Sequence, residues 1–163
     1  MATDQLGLIH ELEANMSQVV LGKVEVIRGA AAFDVGKAIN PDMVRAQIEG
    51  GFVQGMGWLT AEELCWNGDG RLTTHAPSTY KIPACSDAPP VFNVALWDGE
   101  NREETIYRSK AVGEPPLMLG ISALMALSDA VAACGDGTLY PDLDAPATAE
   151  RVLWAVERQR GVR

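Results

Sequence analysis

One carboxylate in this chain sits in a backbone setting suited to proton chemistry. It is Glu114, in Arg108-Ser-Lys-Ala-Val-Gly-Glu-Pro-Pro-Leu-Met-Leu-Gly-Ile-Ser122. Gly113 can take backbone angles closed to other residues. Pro115 should push Glu114 out of the helical region. Pro116 suits a first helical turn, where its missing N–H is not needed. Glu114 is therefore expected at the mouth of a helix on a stiff backbone, facing unpaired N–H groups. A stiffly held carboxylate is what a general base requires. Acids at helix N-termini more often serve stability alone, so local sequence by itself favours the plainer use.

A second polar constellation is the pair Gln47 and Gln54, seven residues apart and so on nearly one face of a helix. An amide offers both donors and acceptors and could grip a polar cofactor. On spacing alone, two solvated glutamines are the simpler reading. The same helix contains Gly50, Gly51, Gly55 and Gly57. Each interior glycine costs about 1 kcal/mol against alanine, so something should need the missing side chains. Close packing is the commoner reason and approach of a ligand the rarer one. His75 lies among small and polar residues and reads as a surface histidine. Cys65, Cys85 and Cys134 form neither a metal spacing nor a disulfide framework, which points to a reducing cytoplasm. No residue is expected to ligate a metal.

The elements that must position these residues follow from cap and periodicity signals. Asn40-Pro-Asp42 starts a helix expected over about 41–65, with Val44, Ile48, Phe52 and Met56 as its core stripe. Lys23–Arg28 and Ala30–Val35 read as strands, with a turn at Gly22 and an end at Gly36. Asn67-Gly-Asp-Gly70 is a turn, flanked by expected short strands Arg71–Thr74 and Thr79–Ile82. Val91–Trp97 alternates as a strand should. A helix is expected from Pro116 to about Ala133, with Leu119, Ser122, Ala123, Met125, Ala126 and Ala130 mostly inside. An amphipathic helix closes the chain over Thr148–Arg158, with Val152, Leu153 and Val156 inward. Leu6–Glu13 could be a short helix and Val19–Leu21 a strand.

Composition sets the outer limits. A chain of 163 residues, 47% hydrophobic and 21% charged, is expected to form one domain with a real core. The net charge of −9 argues against nucleic acid or an anionic membrane as partner, since both call for a basic surface. No secretory signal is evident at the N-terminus. The apolar stretch Leu117–Ala133 contains Ser122, Ser128 and Asp129 and reads as a core helix, not a membrane span.

Five strings then fall in register with one family. They are Phe33-Asp-Val-Gly36 with Ile39-Asn-Pro41; Gln47-Ile-Glu-Gly-Gly-Phe-Val-Gln-Gly55; Glu62-Glu-Leu64; Pro77-Ser-Thr-Tyr-Lys-Ile-Pro83; and Ser109-Lys-Ala-Val-Gly-Glu-Pro-Pro116. Their order and spacing resemble the C-terminal molybdopterin-binding region of the xanthine dehydrogenase/aldehyde oxidase family, the molybdenum hydroxylases. The strings around Thr105–Lys110 and His75–Tyr80 lean toward the xanthine dehydrogenase branch. The resemblance spans about residues 22–159. It divides the chain into a poorly matched segment, 1–21, and a domain over 22–163 that is a fragment of a larger subunit.

The resemblance implies an α+β fold, the second molybdopterin-binding domain of these enzymes, with mixed strands packed on two long helices and a short C-terminal one. It implies that Glu114 is the catalytic general base, accepting a proton while oxygen is delivered to an electron-poor purine or aldehyde carbon. Gln47 matches a glutamine that contacts the pterin. Lys110, Ala111, Val112 and Gly113 form the approach beside the cofactor. The implied cofactor is molybdenum–molybdopterin, with iron–sulfur and FAD centres on modules absent from this chain. Implied partners are the remainder of the molybdenum subunit, those modules and a small purine of purine catabolism. Such a chain is an oxidoreductase only as part of the complete enzyme and is expected to be inactive alone. The alternative is a non-catalytic module that self-associates or binds a partner through surfaces the missing parts would cover.

Overall fold

The computed structural model describes Val26 and residues 28–161. The expectations for residues 1–21, the Gly22 turn, the 21/22 boundary and most of the strand Lys23–Arg28 lie outside the described residues. Within them the backbone is a strand–helix–strand unit followed by a single helical turn and two longer helices.

Strand β1 (Arg28–Phe33) pairs in parallel with β2 (Val91–Leu96), in the register Arg28 with Val91 through Phe33 with Leu96. Parallel neighbours need a long crossover, and α1 (Pro41–Thr60) begins it. The Asn40 side chain accepts the Met43 N–H at 3.2 Å, with Pro41 and Asp42 in the first turn, as the cap signals imply. Ile48, Phe52 and Met56 are buried and Val44 is half-buried, so the expected stripe faces the core. On β2, Phe92, Val94 and Leu96 turn inward while Val91, Asn93 and Ala95 face out. The Phe52 and Phe92 rings meet with centroids 4.7 Å apart. The Phe92 ring also occupies the space over Gly29, where a Cβ would come within 2.6 Å of it. That contact explains a glycine inside β1.

After β2 the chain forms a single turn, α2 (Pro115–Met118), then α3 (Ile121–Ala132) and α4 (Ala149–Gln159). Ala123, Ala126, Leu127, Ala130 and Val131 of α3 share one core cluster with Phe52, Met56, Val152, Ala155 and Val156. A second cluster, Ala31, Val35 and Ile48, lies between the sheet and α1. The Thr148 hydroxyl caps α4 by accepting the Arg151 N–H.

Several expectations are corrected. The helix after Pro116 is not continuous. Gly120 lies so close to the Gly55–Met56 backbone that a Cβ there would collide with it. The bonds at this point are Leu119 N–H to Pro116, Gly120 N–H to Leu117 and Ser122 N–H to Leu119, all of the tighter three-residue type. By length and composition Pro115–Ala132 is apolar enough to cross a membrane. Its interruption and the burial of its alanine face match a core element, as expected. Helix α1 stops at Thr60, short of residue 65. The Ala61 and Glu62 N–H groups both turn back to the Gly57 carbonyl at 2.9 Å, and Glu62 and Glu63 find distant partners in Tyr80 and Arg151. Arg71–Thr74 and Thr79–Ile82 are not strands. A bridge between Trp66 and Leu72 closes the Asn67–Gly70 turn, and the Thr79 and Tyr80 N–H groups fold back onto the Ala76 carbonyl. Met125 and Leu153, expected inside, are 49% and 44% exposed. Met125 stands next to buried Ala126, and Leu153 next to buried Val152, each turned away from its helix's buried face.

Candidate functional site

The approach to Glu114 is tied to the end of β1 by a short two-stranded clamp. The Lys37 N–H donates to the Arg108 carbonyl at 3.0 Å, and the Lys110 N–H donates to the Val35 carbonyl at 2.8 Å. Gly36 and Ser109 form an antiparallel bridge between them. Gly36 has φ +61, and a Cβ on it would run into the Arg108 carbonyl, so this position calls for glycine. Asp34 joins both sides. One oxygen accepts the Gly36 N–H at 2.9 Å and the other binds the Lys110 ammonium at 2.5 Å. The lysine hydrogen bond, reinforced by that N–H, holds the Asp34 carboxyl below the usual carboxylate range.

Before the clamp the backbone is strained. Tyr107 and Arg108 have φ of 52° and 58°, a left-handed pair without glycine. Each such residue costs roughly 1–3 kcal/mol and persists only where its surroundings over-determine it. Here they do. The Asn101 N–H donates to the Arg108 carbonyl at 2.9 Å, and the Thr105 hydroxyl donates to the Ser109 carbonyl at 2.7 Å. The Asn101 amide reaches the Thr105 hydroxyl and the Ser109 carbonyl. The turn carries Ile106 and Tyr107 outward, 79% and 73% exposed.

Beyond the clamp the segment has two anchors. Val112 packs into the Ala31–Val35–Ile48 cluster. The Gly113 carbonyl accepts from Gln47 Nε2 at 3.5 Å, a long bond that nevertheless joins residues 66 positions apart. Glu114 follows, exposed, with no side-chain cap hydrogen bond. Its backbone corrects one expectation: at φ −92 and ψ −39 it is helical despite the following proline. Tertiary packing overrides the dipeptide preference. Pro116 is buried against Gly51, and the Glu114 carbonyl closes the turn by accepting the Leu117 N–H at 3.0 Å. Because α2 is one turn of four residues, the dipole at its mouth is small, and the placement of Glu114 comes from the clamp and from Pro116.

Of the residues singled out by sequence, the fold brings Gln47, Gly113 and Glu114 together at one exposed rim, anchored by the half-buried Val112. Ala111 is exposed beside them. Lys110 is near in the chain, but its ammonium is committed to Asp34. Gln54, on α1, is exposed, and His75 is a surface residue as expected. Asp34 and Asn101 were not picked out as site residues. Two signals bear on Asp34: it lies within the string Phe33-Asp-Val-Gly36 that carries the resemblance, and it stands two residues before a glycine, where an aspartate commonly bonds its own backbone.

The rim is open and polar. Gln47 and Gly50 share a helix face. A Cβ built on Gly50 or on Gly113 meets nothing within 4 Å, so both glycines border open space next to amide and carbonyl groups. A cleft of about 810 Å³ lies elsewhere, lined by Met56, Glu63, Lys81, Asp87 and Glu150 among others. None of the sequence-predicted site residues borders it, and the rim is the stronger candidate because it holds Gln47, Gly113 and a carboxylate, Glu114, that has no side-chain partner among the described residues.

Solved structures share this architecture. A Cu,Mo-CO dehydrogenase in its carbon monoxide reduced state superposes with a TM-score of 0.71 over 87% of this chain and 17% of that one, at 23% identity, a likeness of fold. Quinoline 2-oxidoreductase from Pseudomonas putida 86 gives 0.70 over 84% and 17%, at 26% identity. The fold is thus that of molybdopterin-binding subunits, and residues 16–89 match the model of a molybdopterin cofactor-binding domain. Sequence relatives narrow the class. The chain is 43% identical over 134 residues to xanthine dehydrogenase of Dictyostelium discoideum, covering 80% of this chain and 10% of that protein. It is 46% identical over 129 residues to xanthine dehydrogenase/oxidase of Gallus gallus, covering 77% and 10%. The chain belongs to the molybdenum hydroxylase family, as a segment of the molybdopterin-binding region with xanthine dehydrogenases among its relatives. It spans about one tenth of the length of those relatives.

Proposed function

We propose that this segment supplies the general base and part of the cofactor wall of a xanthine dehydrogenase-like enzyme. That enzyme hydroxylates hypoxanthine or xanthine in the purine catabolism of the cytoplasm. The observation that carries the reading is the Glu114 carboxylate, free and exposed at the end of a segment tied down by Lys110, Val112 and Gly113. A carboxylate with no structural partner on a tethered backbone is available to take a proton. Gln47, with Gly50 and Gly113 bordering open space near it, would hold the pterin edge through its amide. A bound molybdenum–molybdopterin group would supply the oxygen nucleophile and the two-electron acceptor. This chain's part is to place Glu114 Oε within reach of that nucleophile's proton, accept it, and keep the acceptor from swinging away. The reading requires the remainder of the molybdenum subunit and iron–sulfur and flavin modules as partners.

In the assembled enzyme, Glu114→Gln is expected to keep molybdenum and pterin content while lowering turnover by about 10²-fold or more, the usual range for a general base. Near-normal turnover would overturn the reading.

A second reading has its own observation. Ile39, Met43, Ile106, Tyr107, Met118 and Ile121 are all exposed. Separated from the rest of a subunit, the chain would associate through such surfaces. Sedimentation of the isolated chain as a strict monomer contradicts this second reading. Stoichiometric molybdenum in the isolated chain contradicts the requirement for the remainder of the subunit.

A further inference from the structure

We infer that Asp34 is a positioning residue for Glu114: through the Lys110 ammonium it locks the Ser109–Gly113 segment onto the end of β1. The inference rests on Glu114 being the base, and it concerns how that base is held. The backbone clamp ends at the Lys110 N–H, bound to the Val35 carbonyl. From there to Glu114 the ties are the Val112 side chain in the core, the long Gln47–Gly113 bond and the Lys110 side chain. The Lys110 side chain is therefore the last charged tether before Glu114. Its partner is prepared for it, since the Gly36 N–H fixes the Asp34 carboxylate and the left-handed Gly36 puts that N–H in place. The two ends of the pair are 76 residues apart, so it fastens regions that local sequence does not. Asp34 and Lys110 side chains are 45% and 37% exposed, and a pair of that kind adds little to global stability. Its consequence is local, in the freedom of the segment it holds.

Amide hydrogen exchange and backbone ¹⁵N shifts of the full 163-residue chain test this. In Asp34→Asn and in Lys110→Met, exchange at Ser109–Gly113 should rise about threefold to fivefold, the scale of one partly exposed ion pair, while Val152 and Val156 in α4 stay unchanged. Shifts of Gly113 and Glu114 should move in the same direction in both variants and return in Asp34→Glu. In the assembled enzyme, Asp34→Asn should lower kcat with KM nearly constant, and Asp34→Glu should recover part of it. Unchanged exchange at Ser109–Gly113 would overturn the proposal. So would an equal rise in α4, which would mean general destabilisation. The exchange result is independent of whether Glu114→Gln abolishes turnover, so failure of the base reading and failure of the clamp are separable.

Discussion

Gly55 and Gly50 stand on the same helix, one turn and a residue apart, and meet opposite surroundings. A Cβ on Gly55 would run into the Leu117 carbonyl, and one on Gly51 would come within 2.8 Å of the Pro116 side chain. A Cβ on Gly50 meets nothing within 4 Å. Helix α1 therefore has a filled side, where missing side chains let α2 and the start of α3 close against it, and an open side shared by Gln47, Gly50 and, across the gap, Gly113. The difference separates two uses of glycine that look alike in sequence. On the filled side the helix gives up about 1 kcal/mol per glycine in propensity and gains backbone contact. On the open side Gly50 has no protein contact to offset that cost.

The sharpest way to break this comparison is to fill the closed side. Gly55→Ala puts a methyl into a backbone carbonyl, which cannot move aside as a flexible side chain would. Overpacking of this kind should destabilise by about 3 kcal/mol, the upper end of the usual range, measured by urea unfolding of the full chain. Gly51→Ala meets a proline side chain at a longer distance and should cost about 1–2 kcal/mol in the same measurement. Gly50→Ala is expected to reverse the sign and stabilise by about 1 kcal/mol. In the assembled enzyme the same change should lower pterin content if the open side faces the cofactor. A destabilised Gly50→Ala would remove the distinction between the two sides.

The smallest expected effect belongs to the clamp and is read through pH. The folded-state pKa of Asp34 is depressed, so its stabilising contribution is present above the unfolded value of about 3.9 and is lost as pH falls through the folded one. The unfolding midpoints of the chain and of Asp34→Asn should therefore differ at neutral pH and converge below about pH 4. A constant difference down to low pH would mean that the charge of Asp34 is irrelevant. Tyr80 provides the opposite sign. Its hydrogen bond to Glu62 raises the phenol above its ordinary value, so that contribution is present below about pH 10 and fades as pH rises through the folded value.

Local signals were most legible where the structure is local. Asn40, Pro41 and Asp42 announce the start of α1, the alternation of Val91–Leu96 announces β2, and Thr148 announces α4. The place of Glu114 at a helix mouth is legible in the sequence, but its backbone angles are not, because Pro116 is packed against Gly51, more than sixty residues upstream. The crossover between α1 and β2 could not be read. Its Arg71–Ile82 stretch has strand-like composition, yet its backbone groups are used by its own turns and by Cys65. Glycine content in α1 implies tight packing, but only the fold says that Gly55 faces Gly120, just before α3, and that Gly50 does not take part. The Asp34–Lys110 pair and the left-handed Tyr107–Arg108 turn left no periodic trace, since both are set by partners distant in sequence or by backbone angles no side chain requires.

The open side of α1 and the exposed carboxylate beside it carry the proposal made above, that the rim serves the reaction while the seam serves stability. The most direct test is the single-turnover rate of purine oxidation by the assembled enzyme carrying Glu114→Gln, measured alongside its urea unfolding midpoint. The rate should fall by about 10²-fold or more, as for a lost general base, with the midpoint unmoved. A rate within twofold of the unaltered enzyme, or a loss matched by a lowered midpoint, would contradict the assignment of Glu114 to the reaction.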